Sequence, residues 1–434
     1  MIESIFAASI PIGKAAPQIP PEVKSLFSAL QLSEPDETPI KILSDREWTS
    51  LLDFCKFANL TLPVALLPND GLPNWVVERF KTNLADNALR FELVKATYRE
   101  VAEALGLAGI EHIVIKGFTQ SPDYVVDPRF RAQNDIDIFC PPESIEAAYD
   151  ALTAIGYEQF SADVDYTMSD HKPTLTRNGS WQWRGNSFDP EMPLSIELHH
   201  CLWNERVSQI EIPEVELFWN RRTTREVDGH SFPCLIPSDH LAYLTLHILR
   251  NLFLGEWIVH HVRELATFLH SHADDDPFWE CWKQINSPSL GSFAAIAFYL
   301  ARSWYGCRLH SIAALDIDRL PAARKSWLQC FSGSVLKTMF EKNHDALWLQ
   351  LTYLSSPSAK WTILMRSFIP TRISPKGSLA VQIRNKRPVP SVGRPLWQQY
   401  IAYLISRSAG YIRADSATLW RGLCWRLSGR LLTR

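Results

Sequence analysis

Chemistry is most readable around Asp135 and Asp137, in the run Arg131-Ala132-Gln133-Asn134-Asp135-Ile136-Asp137-Ile138-Phe139. Along a strand, positions i and i+2 share a face, about 6–7 Å apart, so the two carboxylates point one way and Ile136 and Ile138 the other. Carboxylates so placed can bridge a pair of Mg²⁺ ions about 4 Å apart, as in-line phosphoryl or nucleotidyl transfer requires. Such a site also needs a phosphate-cradling turn and a base. Ile115-Lys116-Gly117 suits the turn, because glycine lets the backbone approach phosphate oxygens and lysine offers a point charge. Thr119 adds a hydroxyl. Glu197, in Ser195-Ile196-Glu197-Leu198-His199, is the third metal carboxylate and the base for an acceptor hydroxyl. Arg131 is placed to neutralise a triphosphate.

Each of these residues has a plainer reading. D-x-D alone is common in surface turns, and Lys116 could equally form an ion pair with a cleft aspartate. Glu197 could pair with a basic neighbour. His199 reads as a core histidine, with a cleft-facing role left open, and His247 as core. Arg129 reads as solvated. His199-His200 and His260-His261 cannot each chelate one ion alone, since adjacent side chains diverge. Trp181 and Trp183 suit either a stacking platform or core packing.

The elements that would position this chemistry follow from periodicity and punctuation. A short helix is expected at 23–32, and the capping box Ser44-x-x-Glu47 starts another. Separate helices are expected at 73–80 and 86–107, the latter with the apolar stripe Leu89, Phe91, Val94, Tyr98, Val101, Ala102, Leu105. Strands are expected at 112–115, 135–140, 157–160, 174–177 and 194–199, with a turn at Asn178-Gly179. Another helix runs from Ser144 to the Gly156 cap, and Asp228-Gly229 centres a hairpin over 227–236. After Pro237 the pattern is helical, with the last two helices at 395–404 and 417–427 and a linker at 369–395. This implies an α+β protein, with strand–helix–strand elements in the middle and helical appendages at both ends. The expected division is 1–84 (N-terminal helical), 85–236 (catalytic core), 237–358 (helical) and 359–434 (basic linker and C-terminal helices).

Composition fits a globular chain of 434 residues: 46% apolar, 21% charged, net charge −3. The balance is uneven, for from Lys360 onward 14 Lys/Arg face the single acid Asp415. That end is a candidate contact for an anionic membrane surface or for the acidic body of the chain, with nucleic acid ranked last because no RNA-binding motif appears. The eight cysteines form no C-x-x-C pair and suggest neither a zinc site nor a disulfide framework. Neither a signal peptide nor an apolar run of about 18 residues is present, so a cytoplasmic, at most peripherally membrane-associated, protein is expected.

Together the runs I-x-x-I-V-I-K-G, R-A-Q-N-D-I-D-I-F, A-I-G-Y and I-E-L-H-H resemble the uncharacterised nucleotidyltransferase family of the DNA polymerase β-like superfamily. The matching positions are Lys116 and Gly117, then Arg131, Asp135 and Asp137, then Gly156 and Tyr157, then Glu197 and His199. The likeness spans about residues 40–270. It implies a minimal nucleotidyltransferase fold, a small mixed sheet flanked by helices, using NTP, with ATP the expected donor, and Mg²⁺ or Mn²⁺. It also implies an unidentified hydroxyl acceptor (small molecule, sugar or peptide) in a biosynthetic pathway. The superfamily's usual Gly-Ser turn is Lys-Gly here. A non-catalytic adaptor of the same fold is the alternative.

Overall fold

The computed structural model describes residues 19–160, 169–177, 181–341, 343–368 and 413–427. Helix α1 (Pro21–Ala29) and α2 (Asp45–Ala58) open it. The Ser44 hydroxyl accepts from the Glu47 amide while the Glu47 carboxylate accepts from the Ser44 amide, the expected capping box. Next, α3 runs unbroken from Asn74 to Leu107. The two helices expected there are one, because Lys81-Thr82-Asn83-Leu84-Ala85 contains no glycine or proline to stop a helix. Leu89, assigned to the inner stripe, is exposed, and Asn87, Arg90 and Phe91 take the buried face.

Seven short strands form one mixed sheet: β1 (Ile113–Val114), β2 (Asp135–Phe139), β3 (Glu158–Gln159), β4 (Leu175–Thr176), β5 (Ser195–His199), β6 (Thr223–Val227) and β7 (His230–Cys234). Their order is β3-β4-β5-β2-β1-β7-β6. The central pair, β2 and β5, runs parallel. Helix α4 (Ile145–Ala154) follows β2 and packs on the sheet through Ile145, Ala148 and Leu152. The β6–β7 hairpin turns at Asp228 and Gly229, both at positive φ (50° and 74°), as a two-residue turn of this type demands. Its first strand starts earlier than its sequence suggested, since Thr223-Thr224 also pair.

Helices α5 (Pro237–Leu254), α6 (Val259–Ser271), α7 (Asp276–Ile285) and α8 (Pro288–Tyr305) follow, then further helices to Phe368. A last helical segment covers 413–427; the helix expected at 395–404, the 369–395 linker and the Asn178-Gly179 turn lie outside the described residues.

The sheet separates two apolar clusters. Ile136, Ile138, Ile196 and Leu198 pack with Phe91, Val94 and Tyr98 of α3 on one side. Ile113, Ile115 and Phe139 pack on the other with the helical body, whose cluster extends through Leu241, Trp279, Trp304 and Trp327 to Trp425. Strand alternation explains both: neighbours in sequence bury in opposite cores. On this second side of β2 and β5, the charged residues interrupt the apolar contact.

Candidate active site

Parallel pairing of β2 and β5 sets Asp135 opposite Ser195, Asp137 opposite Glu197 and Phe139 opposite His199. The residues at 135, 137, 197 and 199 therefore share one face, and the isoleucines and Leu198 behind them hold that register. His199 Nε2 lies 2.9 Å from Asp137 Oδ1 and 3.8 Å from Glu197 Oε2. One ligand atom from each of Asp137, Glu197 and His199 falls within 4.8 Å of the others, close enough to share a metal ion. His199, read as a core histidine from sequence, is thus a member of the cluster; it is buried, and burial alone was what its apolar neighbours revealed.

Electrostatics in the cluster are lopsided. Lys116 Nζ sits 2.5 Å from Asp137 Oδ1. Burial opposes the lysine's charge, but Asp137, helped by Glu197 and Asp135, more than offsets it and holds the ammonium above its ordinary range. For Asp137 burial would raise the carboxyl, yet Lys116 and His199 outweigh it and keep it below the usual carboxylate range. Asp135 has no such partner: burial, then the charges of Asp137 and Glu197, push it up to about 7. Asp170, on the other side of His199, has its Oδ2 3.8 Å from Nδ1 and is held by Arg250 at 2.9 Å. Four carboxylates (135, 137, 170 and 197) thus gather around two fixed cations, Lys116 and Arg250.

That surplus of negative charge is what a bound cation relieves, and the donor set suits one. Carboxylate oxygens favour Mg²⁺ or Mn²⁺, and an imidazole nitrogen tilts the choice toward Mn²⁺. The group close enough to share an ion contains His199 in place of Asp135, which stands beside it, partly exposed at the start of β2.

The other residues singled out from sequence have defined partners in the structure. Gly117 has φ +76°, and a Cβ there would come within 2.3 Å of Gln133 Nε2, which itself donates to the Asp135 carbonyl at 2.8 Å. Only glycine admits that approach. The buried Thr119 hydroxyl donates to the Lys116 carbonyl at 3.2 Å. Arg131 is paired, Nε to Glu264 Oε1 at 2.8 Å, and both side chains are largely buried. Burial would raise the Glu264 carboxyl, but Arg131 and then His261 hold it at about 2. Arg129, expected in solvent, bridges Asp127 at 2.9 Å and Asp228 at 2.6 Å, because the hairpin turn folds back over its loop.

Four positioning residues escaped the sequence reading. Arg90 is buried and donates to the carbonyls of Gln133 (2.9 Å), Asp189 (3.0 Å) and Met192 (2.8 Å), tying together the loops that enter β2 and β5. Its sequence signal was a charged residue in phase with Phe91 and Val94. Tyr243 and Arg250 fall with His247 at i, i+4 and i+7 on α5, one stripe of a largely buried helix. His247 itself is buried, as its apolar surroundings implied, and its ring meets His261 at 4.7 Å. Asp170 lies in a loop with no pattern to mark it. Trp181 and Trp183 meet edge to face at 6.2 Å, and Trp181 donates to Asp189 at 3.0 Å.

Among the described residues no helix is long and apolar enough to cross a membrane. The chain matches no curated protein and no solved structure. A family model described as an uncharacterised nucleotidyltransferase does match it, over residues 44–306, a span that begins at the cap of α2, takes in both carboxylate strands and ends just after α8. The chain belongs to that uncharacterised nucleotidyltransferase family.

Proposed function

We propose that the protein transfers a nucleoside monophosphate from an NTP, with ATP the first donor to test, to a hydroxyl group on a small molecule, sugar or peptide. The observation that carries this reading is the paired placement of Asp137 and Glu197 on adjacent parallel strands, with Asp135 pushed up to about 7 beside them. Asp137, Glu197 and His199, with Asp135 adjoining, would hold the divalent ion. When bound, such an ion supplies charge stabilisation for the attacking and leaving oxygens.

The protein's own groups supply the rest. Glu197, the most exposed of the cluster's metal-ligating set at 23% for its side chain, takes the acceptor's proton at a carboxylate oxygen. The acceptor oxygen bonds to the α-phosphorus as the bond from that phosphorus to the β-phosphate oxygen breaks, and pyrophosphate leaves. Lys116 places a fixed positive charge at the floor of the site. Asp170 and Arg250 keep His199 oriented, and Arg90 keeps the two strand entrances together.

Asp135→Asn is the test of choice, because Asp135 makes no salt bridge among the described residues, whereas Asp137 is paired directly with Lys116. Turnover of each labelled NTP with Mg²⁺ or Mn²⁺, against a cell-extract pool of acceptors, should fall by about 10³-fold in this variant. Undiminished turnover rejects the assignment. Absence of NTP binding by the unaltered chain, with either metal present, would instead favour the adaptor.

A further inference from the structure

A cavity of about 380 Å³ lies between α2, α3 and the loop at 184–188, and none of the site carboxylates lines it. We propose that it binds the anionic group, phosphate or carboxylate, of the acceptor; as a statement about the acceptor this rests on the transferase reading. Lys56, Arg79 and Arg184 line the cavity together with Thr82 and Asn83, and no acidic side chain does. Arg184 is countered by Glu191 at 2.6 Å. The Lys56 ammonium donates to the Gly185 carbonyl at 3.1 Å and lies 5.1 Å from the Trp183 ring centre. Arg79 is exposed and has no ion-pair partner among the described residues. A concave space of this size, with cations, hydroxyls and amides and no carboxylate, selects an anion with hydrogen-bonding oxygens.

The cavity and the carboxylates are joined through one helix and one loop. On α3, Asn83 at the cavity precedes Arg90 by seven residues, about 10 Å of helix. Between them Asp86 accepts from Asn186, fixing the cavity's loop to the helix at 2.6 Å. Arg90 then grips Gln133 and Met192, immediately before the strands that carry the site. An acceptor lying along this loop would hold its anionic group in the cavity and its hydroxyl at the carboxylates. The predicted acceptor is therefore an extended molecule with an acidic group remote from the hydroxyl that reacts.

The test titrates the full chain calorimetrically with glycerol phosphate and, separately, with lactate. It compares the unaltered protein, Arg79→Ala, Arg79→Lys and Asp135→Asn, with circular dichroism to confirm folding. Binding should weaken about tenfold or more in Arg79→Ala, the loss of one charge-assisted contact, and stay within about twofold in Arg79→Lys and Asp135→Asn. Whichever probe binds more tightly identifies phosphate or carboxylate as the group. Equal binding by the unaltered protein and Arg79→Ala, or binding of neither probe, overturns the proposal. Binding of Mg²⁺ and NTP, measured on the same samples, tests the transferase reading separately: its absence alongside Arg79-dependent anion binding leaves the cavity an anion site and removes the acceptor.

Discussion

The two faces of β2 and β5 share one backbone and one register, yet they do opposite work. Behind the sheet, Ile136, Ile138, Ile196 and Leu198 are buried among the apolar side chains of α3 and α4. In front, Asp135, Asp137, Glu197 and His199 crowd four ionisable groups where their charges are poorly matched. The apolar face stabilises the fold and fixes which residues pair. The charged face draws on that stability to keep like charges together, a local conflict of the kind that functional sites carry. A one-residue slip of β5 would exchange the faces and bury Glu197 in the apolar core.

Ile138→Ala probes the face expected to carry the stability. Removing its buried branched chain should cost about 2–5 kcal/mol in urea unfolding, enough to loosen the register as well. Asp137→Asn comes next: Lys116 keeps its charge in a buried place without its main counterion, for a loss of roughly 1–3 kcal/mol. Asp135→Asn should do the reverse. An acid whose folded value is about 7, against an ordinary 3.8, destabilises the fold progressively as pH rises through that window. In metal-free buffer the variant should therefore be more stable than the unaltered protein at pH 8, by about 1 kcal/mol after solvent screening, with no difference near pH 3. A variant that loses turnover and gains stability would separate the two faces most sharply.

The smallest expected effect sharpens the contrast with a charge pair that is balanced. Glu264, held at about 2 against an ordinary 4.5, contributes stability that is complete above its ordinary value and is lost as pH falls from there toward 2. Acid-titrated unfolding should show this slope and Glu264→Gln should flatten it. A slope unchanged in the variant would mean that Arg131 does not depend on Glu264.

Much of this was legible in the primary chain because it rests on short-range pattern. Alternation in Asp-Ile-Asp-Ile placed both carboxylates on one face, the Asp-Gly pair marked the hairpin, and Ser44-x-x-Glu47 marked a helix start. Partners that no such pattern marks were not legible. Arg131 stands four residues before Asp135, but its pairing with Glu264 depends on α6, which is 133 residues further along. Arg129 looked solvated because its partner Asp228 is 99 residues away. Leu89 was assigned inward because apolar character, unlike phase along an unbroken helix, can be read without knowing what the helix faces.

The chain itself determined the strand chemistry, the fold class and the carboxylates worth testing, since local periodicity and turn preference act over a few residues. Only the tertiary structure decided that β5 lies beside β2 in parallel register, that His199 joins Asp137 and Glu197, and that Asp170, Arg250 and Arg90 surround them. Charge interactions and packing depend on distance in space, and residues far apart in sequence acquire those distances only when the chain closes on itself.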